Sequence, residues 1–497
     1  MARRGGPKVY IVGAGPGDPS LITKRALRLI ERADSVLYDS LVPVELLLYA
    51  KEEAELIPVG KKGGWDQEGI NELMVRKALE GRTVVRLKGG DPFIFGRGGE
   101  EVEHLRERGV EFEIVPGVSA LSAVPAYAGV PLTHRRISSA ICAVTSREAL
   151  GKESINWRAI SELGGTLVLF MGAGNADEVR QRLLSSGMDE ETPFVSVMWG
   201  TTSEQRTISG RLGELGRVRL RPPCLTLVGR VALLRERLRW FERKPLFGRT
   251  ILVARPKEEA VKLAERLREY GARALPFPAI KFSPLDVDAR TLRRALDSDW
   301  IAFTSKRGVR FFRDALFGTG LDVRSLRARV AAIGPSTAEE LENMGIMPDL
   351  VPEEYSSRGL LREFSRVGMA GKRVALLRAK GGNPELPSGL ERMGADVEDV
   401  ELYWAFPGGE REAKILRPLL NYVDTLVFGS PSCLESFLST FSEEGREALR
   451  RGTVVAMGPV TAKVLGREGA QKVLVPETYT ADGVLELIIG MAAKEAW

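Results

Sequence analysis

The segment Gly89-Gly-Asp-Pro-Phe-Ile-Phe-Gly-Arg-Gly-Gly-Glu-Glu101 places five glycines and a proline in thirteen residues. Neither a helix nor a strand interior tolerates that density, so the segment is a loop shaped around a ligand. It follows the β-rich run Thr83 to Lys88, at the carboxyl end of a strand, where open α/β sheets bind small molecules. A second glycine loop, Gly13-Ala-Gly-Pro-Gly17, follows Val9-Tyr-Ile-Val12, with Asp39 farther along. A dinucleotide reading fits poorly, because the spacing is G-x-G-x-G and Pro16 offers no N–H to a phosphate. Metal chemistry has little to stand on, since the chain has two histidines, His104 and His134, and three cysteines far apart, Cys142, Cys224 and Cys433.

These loops must be held by regular elements. The chain has 497 residues, 44% of them hydrophobic and 28% charged, which describes a globular protein of several domains. Strand-like runs at Val9, Ser35, Thr83 and Thr166 alternate with amphipathic helical patterns such as Ile22 to Ala33, which predicts an α/β fold. Further strands, Ala140 to Thr145, Phe194 to Met198 and Leu225 to Val228, follow a proline-bounded segment, so the front half divides near residue 130. Pro245 and Gly248 close one helical pattern before the strand Thr250 to Ala254 opens, placing the major boundary near residue 246.

The tail repeats itself. Ile251 to Arg255 is answered by Val374 to Arg378, Ile301 to Ser305 by Leu426 to Ser430, and Val330 to Ala338 by Val454 to Ala462, each at an offset of about 124 residues. That period is far beyond solenoid repeats of roughly 20 to 50 residues and predicts two domain-sized α/β lobes.

The two glycine loops, Val36-Leu-Tyr-Asp-Ser-Leu41, Val59-Gly-Lys61, Val115-Pro-Gly-Val118 and Gly129-Val-Pro-Leu-Thr-His-Arg135 occur in the order found in uroporphyrinogen-III C-methyltransferases, and residues 8 to 243 resemble that family. The resemblance implies a two-lobed tetrapyrrole methyltransferase fold with lobes at about 8–130 and 131–243. It implies methylation of carbons 2 and 7 of uroporphyrinogen III, with S-adenosylmethionine as cofactor and precorrin-2 and S-adenosylhomocysteine as products. By the same resemblance Pro16, Gly89, Gly90, Asp91, Ile94, Ser119, Ala120, Met171 and Gly200 hold the cofactor. Methyl transfer from a sulfonium depends on in-line positioning, and loss of the ring proton calls for an acceptor. Asp39 matches the family's proposed acceptor and Lys61 its proposed donor. Arg97, Arg135, Arg136 and Arg206 lie in or beside the motifs and are candidates to fork onto substrate carboxylates. Thr145-Ser-Arg147 departs from the family's usual Thr-Gly-His, which puts local substrate contacts in doubt.

The tail, 247–497, resembles uroporphyrinogen-III synthase through its strand repeats, the Gly-Pro-x-Thr-Ala runs and Tyr403-Trp-Ala-Phe406. That resemblance implies cofactor-free closure of hydroxymethylbilane with inversion of ring D. It also implies two flavodoxin-like lobes, one of about 249–283 plus 407–497 and the other about 284–406. Tyr403 and Thr461 match the family positions most often implicated, with Thr304, Ser305, Ser336, Thr337 and Ser430 also at strand ends, where Ser and Thr commonly serve as helix caps.

Two alternatives stay open: a related corrin or nucleic-acid methyltransferase, encouraged by a sequence isoelectric point of about 9.1, and a non-catalytic tetrapyrrole-sensing tail. Nothing in the tail reads as a basic-aromatic stripe, so tetrapyrroles rather than nucleic acid are the expected partners. No run approaches the roughly 18 apolar residues of a membrane span, and the scattered cysteines suit a reducing compartment. A cytoplasmic enzyme is expected, with homodimerisation through the front half implied by the family.

Overall fold

The computed structural model describes residues 8–60, 64–146 and 155–495; Lys61 and Arg147 fall outside them. Four five-stranded sheets account for the chain's strands among these residues. The first contains β1 (Lys8–Gly13), β2 (Ser35–Tyr38), β3 (Glu55–Pro58), β4 (Val84–Lys88) and β5 (Glu111–Val115), in the order β3-β2-β4-β1-β5. Every pairing in it is parallel. Parallel strands are covered on both faces, and β1, β2 and β4 are accordingly buried along most of their length. Helices enter after side-chain caps: Thr23 accepts from Ala26 N ahead of Lys24–Arg32, and Asp66 from Gly69 N ahead of Gln67–Leu79.

The second sheet holds β6 (Ile141–Thr145), β7 (Thr166–Phe170), β8 (Pro193–Met198), β9 (Arg206–Arg211) and β10 (Cys224–Val228), ordered β6-β7-β10-β8-β9. Only β6 and β7 run parallel; the other pairings are antiparallel. The mostly exposed β9 forms one edge, and its polar sequence gives no strand signal.

In the tail, β11 (Thr250–Arg255) and β12 (Arg273–Pro278) precede β13 (Ile280–Pro284), β14 (Trp300–Phe303), β15 (Arg329–Ala332), β16 (Arg373–Ala379) and β17 (Asp396–Pro407). They are followed by β18 (Thr425–Phe428), β19 (Thr453–Ala456) and β20 (Lys472–Leu474). The third sheet is parallel in the order β12-β11-β18-β19-β20 and the fourth reads β13-β17-β16-β14-β15, with β13 antiparallel at its edge. Numbered within itself, the third sheet has the flavodoxin-type order. The sequence repeat pairs β11 with β16, β18 with β14 and β19 with β15, and the three strands run side by side in the same order in each sheet. The duplication is therefore legible in the strand order.

By compactness the chain forms one unit of Met1–Ala279 with Gly409–Trp497 and another of Ile280–Gly408. The tail's crossing between lobes falls at Ala279, a little ahead of the expected Ser283, because β13 pairs with β17 of the second unit. Leu246, at the expected major boundary, is fully buried with Ile251, Val253 and Leu263 in the core of the third sheet.

Candidate active site

The first lobe's site begins where β4, β1 and β5, neighbours in the sheet, end. Beyond them three backbone segments touch. Gly90 N donates to Gly15 O at 2.7 Å and Gly15 N to Gly90 O at 3.3 Å. A Cβ on Gly13 would lie 2.6 Å from both Gly117 Cα and Gly90 O, and one on Gly117 only 2.3 Å from Gly90 O. No side chain fits at Gly13 or Gly117, whereas Gly90 has room for a Cβ and needs glycine for its left-handed φ of +69°. Asp91 fastens the loop, its Oδ1 accepting from Phe93 N at 2.8 Å and its Oδ2 from Gly117 N at 3.1 Å. Ser119 caps the helix Ala120–Ala128 by accepting from Leu121 N.

The second lobe closes the cleft with the ends of β7 and β8. Gly200 packs so closely on the helix Ala120–Ala128 that a Cβ would come within 2.5 Å of Val124 Cγ1. Thr201 Oγ1 accepts from Asp18 N at 3.1 Å, joining the lobes. Phe95, Met171, Trp199 and Thr201 hold left-handed backbone, with φ of 53°, 55°, 50° and 72°, and all four line the cleft. Strain of this kind gathers at functional sites. The cavity has a volume of about 1420 Å³ and is lined by all nine residues expected to hold a cofactor: Pro16, Gly89, Gly90, Asp91, Ile94, Ser119, Ala120, Met171 and Gly200. Leu41, Ile94, Phe95, Met171 and Trp199 leave large apolar surfaces exposed on its walls.

Asp39 follows β2 and precedes the cavity-lining Ser40 and Leu41 in the chain, without itself being one of the lining residues. Its Oδ1 accepts from Arg86 Nη2 at 2.6 Å. Arg86 Nε and Lys88 Nζ in turn donate to Glu101 Oε1 at 3.1 and 2.8 Å, and Glu101 is fully buried. Burial pushes the Lys88 ammonium pKa down, and the charge of Arg86 adds to the effect. Sequence reasoning overlooked this network. Its signal was present, because two cations on alternate positions of an otherwise apolar strand require a buried anion.

The four candidate arginines are not brought to the cleft lining. Arg97 turns back in a left-handed conformation and its Nε donates to Glu100 at 2.9 Å. Arg135 and Arg136 are exposed in the turn closed by His134 and Ser138, and Arg206 is exposed at the start of edge strand β9. The arginines lining the cavity are Arg268 and Arg273, both from the tail.

In the fourth sheet Tyr403 is buried, with its ring stacked on Phe311 at 4.8 Å and its hydroxyl 3.0 Å from Ser305 Oγ. Ser305 also caps the helix Lys306–Gly318, and Ser430 caps Pro431–Arg451. Thr461 is buried in the first turn of the helix Pro459–Arg467, in the other unit. Among the described residues no cluster of His, Cys, Asp and Glu could hold a metal ion, and no helix is long and apolar enough to cross a membrane.

A glycine cradle between two α/β lobes, followed by a duplicated pair of parallel-sheet lobes, is the architecture of a tetrapyrrole methylase joined to a second tetrapyrrole enzyme. Residues 8–216 match the family model of tetrapyrrole (corrin/porphyrin) methylases, and residues 261–486 match that of uroporphyrinogen-III synthase HemD. The porphyrin biosynthesis protein HemD of Ruminiclostridium josui is 35% identical over 496 residues, 97% of each chain. The chain belongs to this family. A uroporphyrinogen-III C-methyltransferase of Bacillus subtilis is 35% identical over 359 residues, 70% of this chain and 74% of its own. The crystal structure of the uroporphyrin-III C-methyl transferase of Thermus thermophilus, complexed with S-adenyl homocysteine, matches 45% of this chain and 92% of its own at 41% identity, with a TM-score of 0.40.

Proposed function

We propose that the chain is a bifunctional enzyme of tetrapyrrole biosynthesis. The tail closes hydroxymethylbilane to uroporphyrinogen III with inversion of ring D, and the front half methylates that product at carbons 2 and 7 to give precorrin-2. The observation that carries the front-half reading is the convergence of all nine expected cofactor residues on one cavity, within a region that matches the tetrapyrrole methylases.

The cradle fits S-adenosylmethionine. Backbone groups at Gly89 and Gly90 and the apolar walls at Ile94, Ala120 and Met171 suit a ligand that has no phosphate, and Pro16 costs nothing there. When bound, the cofactor supplies an electrophilic methyl group. The residues around it position the ring by shape, which is where most of the acceleration for such a displacement originates. Phe95 and Trp199, held in strained backbone, offer faces to a macrocycle. Asp39, oriented by Arg86, accepts the proton that the ring system loses once the substituted carbon has become quaternary; Lys61 is the proposed donor.

For ring closure the tail needs a held proton near a departing hydroxyl. The Tyr403 hydroxyl, tied to Ser305, supplies one, and Thr461 is a second candidate. Loss of the hydroxyl with that proton as water leaves an electrophilic methylene carbon conjugated with its pyrrole. The new carbon–carbon bond forms to that methylene, and the proton finally lost from the attacked ring restores the donor. The three widely spaced cysteines support a cytoplasmic setting, and the family resemblance supports a homodimer through the front half.

The test is to supply hydroxymethylbilane and S-adenosylmethionine to the full chain and follow products by mass and absorbance. A dimethylated macrocycle of the type III isomer is expected, with two S-adenosylhomocysteine per ring. Type I uroporphyrinogen alone would remove the synthase reading, and unmethylated type III product would remove the methyltransferase reading.

A further inference from the structure

The synthase half reaches into the methyltransferase cleft. Glu45 lies in the short helical segment Val44–Tyr49, a few residues after the cavity-lining Ser40 and Leu41, and Glu204 lies in the turn after β8. They come from different lobes of the front half, and both line the cavity. Arg273, at the start of β12, joins them: its Nε donates to Glu45 Oε1 at 3.1 Å and its Nη1 to Glu204 Oε1 at 3.0 Å. The Glu45 side chain is only 5% exposed, so without a counter-ion its charge would be poorly compensated. Arg411 of the tail reinforces the same place, its Nη1 donating to Ala50 O at 3.1 Å and also to Lys51 O.

Arg273 is itself firmly mounted. Its backbone N donates to Arg249 O at 2.8 Å, and the turn before it is held to the inter-enzyme segment by Leu246 N to Tyr270 O at 2.9 Å and Lys244 Nζ to Glu269 O at 2.6 Å. Gly271, at φ +97°, permits that approach, since a Cβ there would lie 2.8 Å from Lys244 Cβ. The segment joining the enzymes is thus packed on the turn that precedes β12.

We propose that Arg273 is a positioning residue for methyl transfer: by tying Glu45 of the first lobe to Glu204 of the second, it sets the opening of the cleft that receives the carboxylate-bearing macrocycle. The methyltransferase therefore depends on the tail for its geometry as well as for its substrate. This rests on the reading of the cleft as the methylation site.

The test uses the full chain. In Arg273→Ala, kcat/KM for methylation of uroporphyrinogen III is expected to fall on the order of tenfold, chiefly through KM. S-adenosylhomocysteine affinity and ring closure are expected to stay at parent values, and hydrogen exchange to quicken at residues 44–49 and 201–205. Arg273→Lys, which keeps the charge but loses the fork, should recover part of the loss. Parent-like methylation in Arg273→Ala, or unchanged exchange in both segments, overturns the proposal. Should Arg273→Ala fail to fold, Glu204→Gln decides, because the half-exposed Glu204 is dispensable to the fold; a raised KM supports the clamp and a parent-like KM overturns it. A parent chain that binds no S-adenosylhomocysteine would instead remove the methyltransferase reading itself.

Discussion

The front half and the tail build their candidate sites from different material. In the front half, the cradle is backbone against backbone, with Gly13 and Gly117 packed so closely on each other and on Gly90 O that a single methyl group on either has no room. In the fourth sheet the site candidates are hydroxyls, Tyr403 bonded to Ser305, above an ordinary packed core. A backbone site leaves a record in the sequence, because only glycine satisfies it. A hydroxyl at a strand end leaves almost none, since the same residues also cap helices, as Ser305 and Ser430 do. That difference lets the two halves be perturbed in distinct ways.

The largest effect is expected from Gly117→Ala. The new Cβ would lie 2.3 Å from Gly90 O, so the loop must move, and a displacement of about an ångström at such a site costs on the order of a hundredfold. Single-turnover methylation should show that loss of rate, and calorimetric titration with S-adenosylhomocysteine should show a weakened affinity. Gly318→Ala in the tail, where a Cβ meets nothing within 4 Å, should leave stability unchanged or raise it by up to about 1 kcal/mol. Equal responses to the two substitutions would erase the contrast.

Asp39→Asn comes next. It preserves shape and a partner for Arg86 but removes the proton acceptor, so single-turnover methylation should drop by roughly 10²-fold or more while cofactor affinity holds. An unchanged rate would reduce Asp39 to an ion-pair partner of Arg86. Tyr403→Phe should slow ring closure about tenfold and cost about 1 kcal/mol in stability, the scale of one hydrogen bond, because the stacking on Phe311 remains. Normal closure to the type III isomer would shift attention to Thr461 or to shape alone.

The same contrast explains what the sequence could show. The four-sheet α/β architecture was readable from alternating patterns, and the repeat within the tail even matched topologically equivalent strands. The nine residues proposed to hold the cofactor came from the family resemblance, and they line one cavity. The arginines were not. Motif proximity suggested Arg97, Arg135, Arg136 and Arg206, but a long flexible side chain goes where a carboxylate awaits it, and Arg97 folds onto Glu100. Arg273 lies far along the chain in a region assigned to another reaction, and its link to Glu45 and Glu204 exists only in three dimensions. Glu101 was hidden for a related reason: its partners Arg86 and Lys88 sit on a strand that reads as plain core.

That buried charge supports the smallest of the predicted effects, and one with no counterpart expected at the tail's hydroxyl site. Lys88 holds its proton less tightly when folded than its ordinary value of 10.5 implies, because burial disfavours the ammonium and Arg86 adds repulsion. Between the lowered pKa and 10.5 the unfolded chain therefore binds more protons at this position than the folded one does. Stability then gains with rising pH across that window, and the penalty for burying the charge is complete only below it. Other groups titrate in the same range, so the useful quantity is the difference between the parent and Lys88→Met, in which their contributions cancel. Urea unfolding of both proteins, followed through the front half at a series of alkaline pH values, should show the parent gaining on the variant as pH approaches 10.5. Parallel curves would mean that Glu101 compensates the ammonium in full, and that the buried network beneath the cradle is electrostatically balanced.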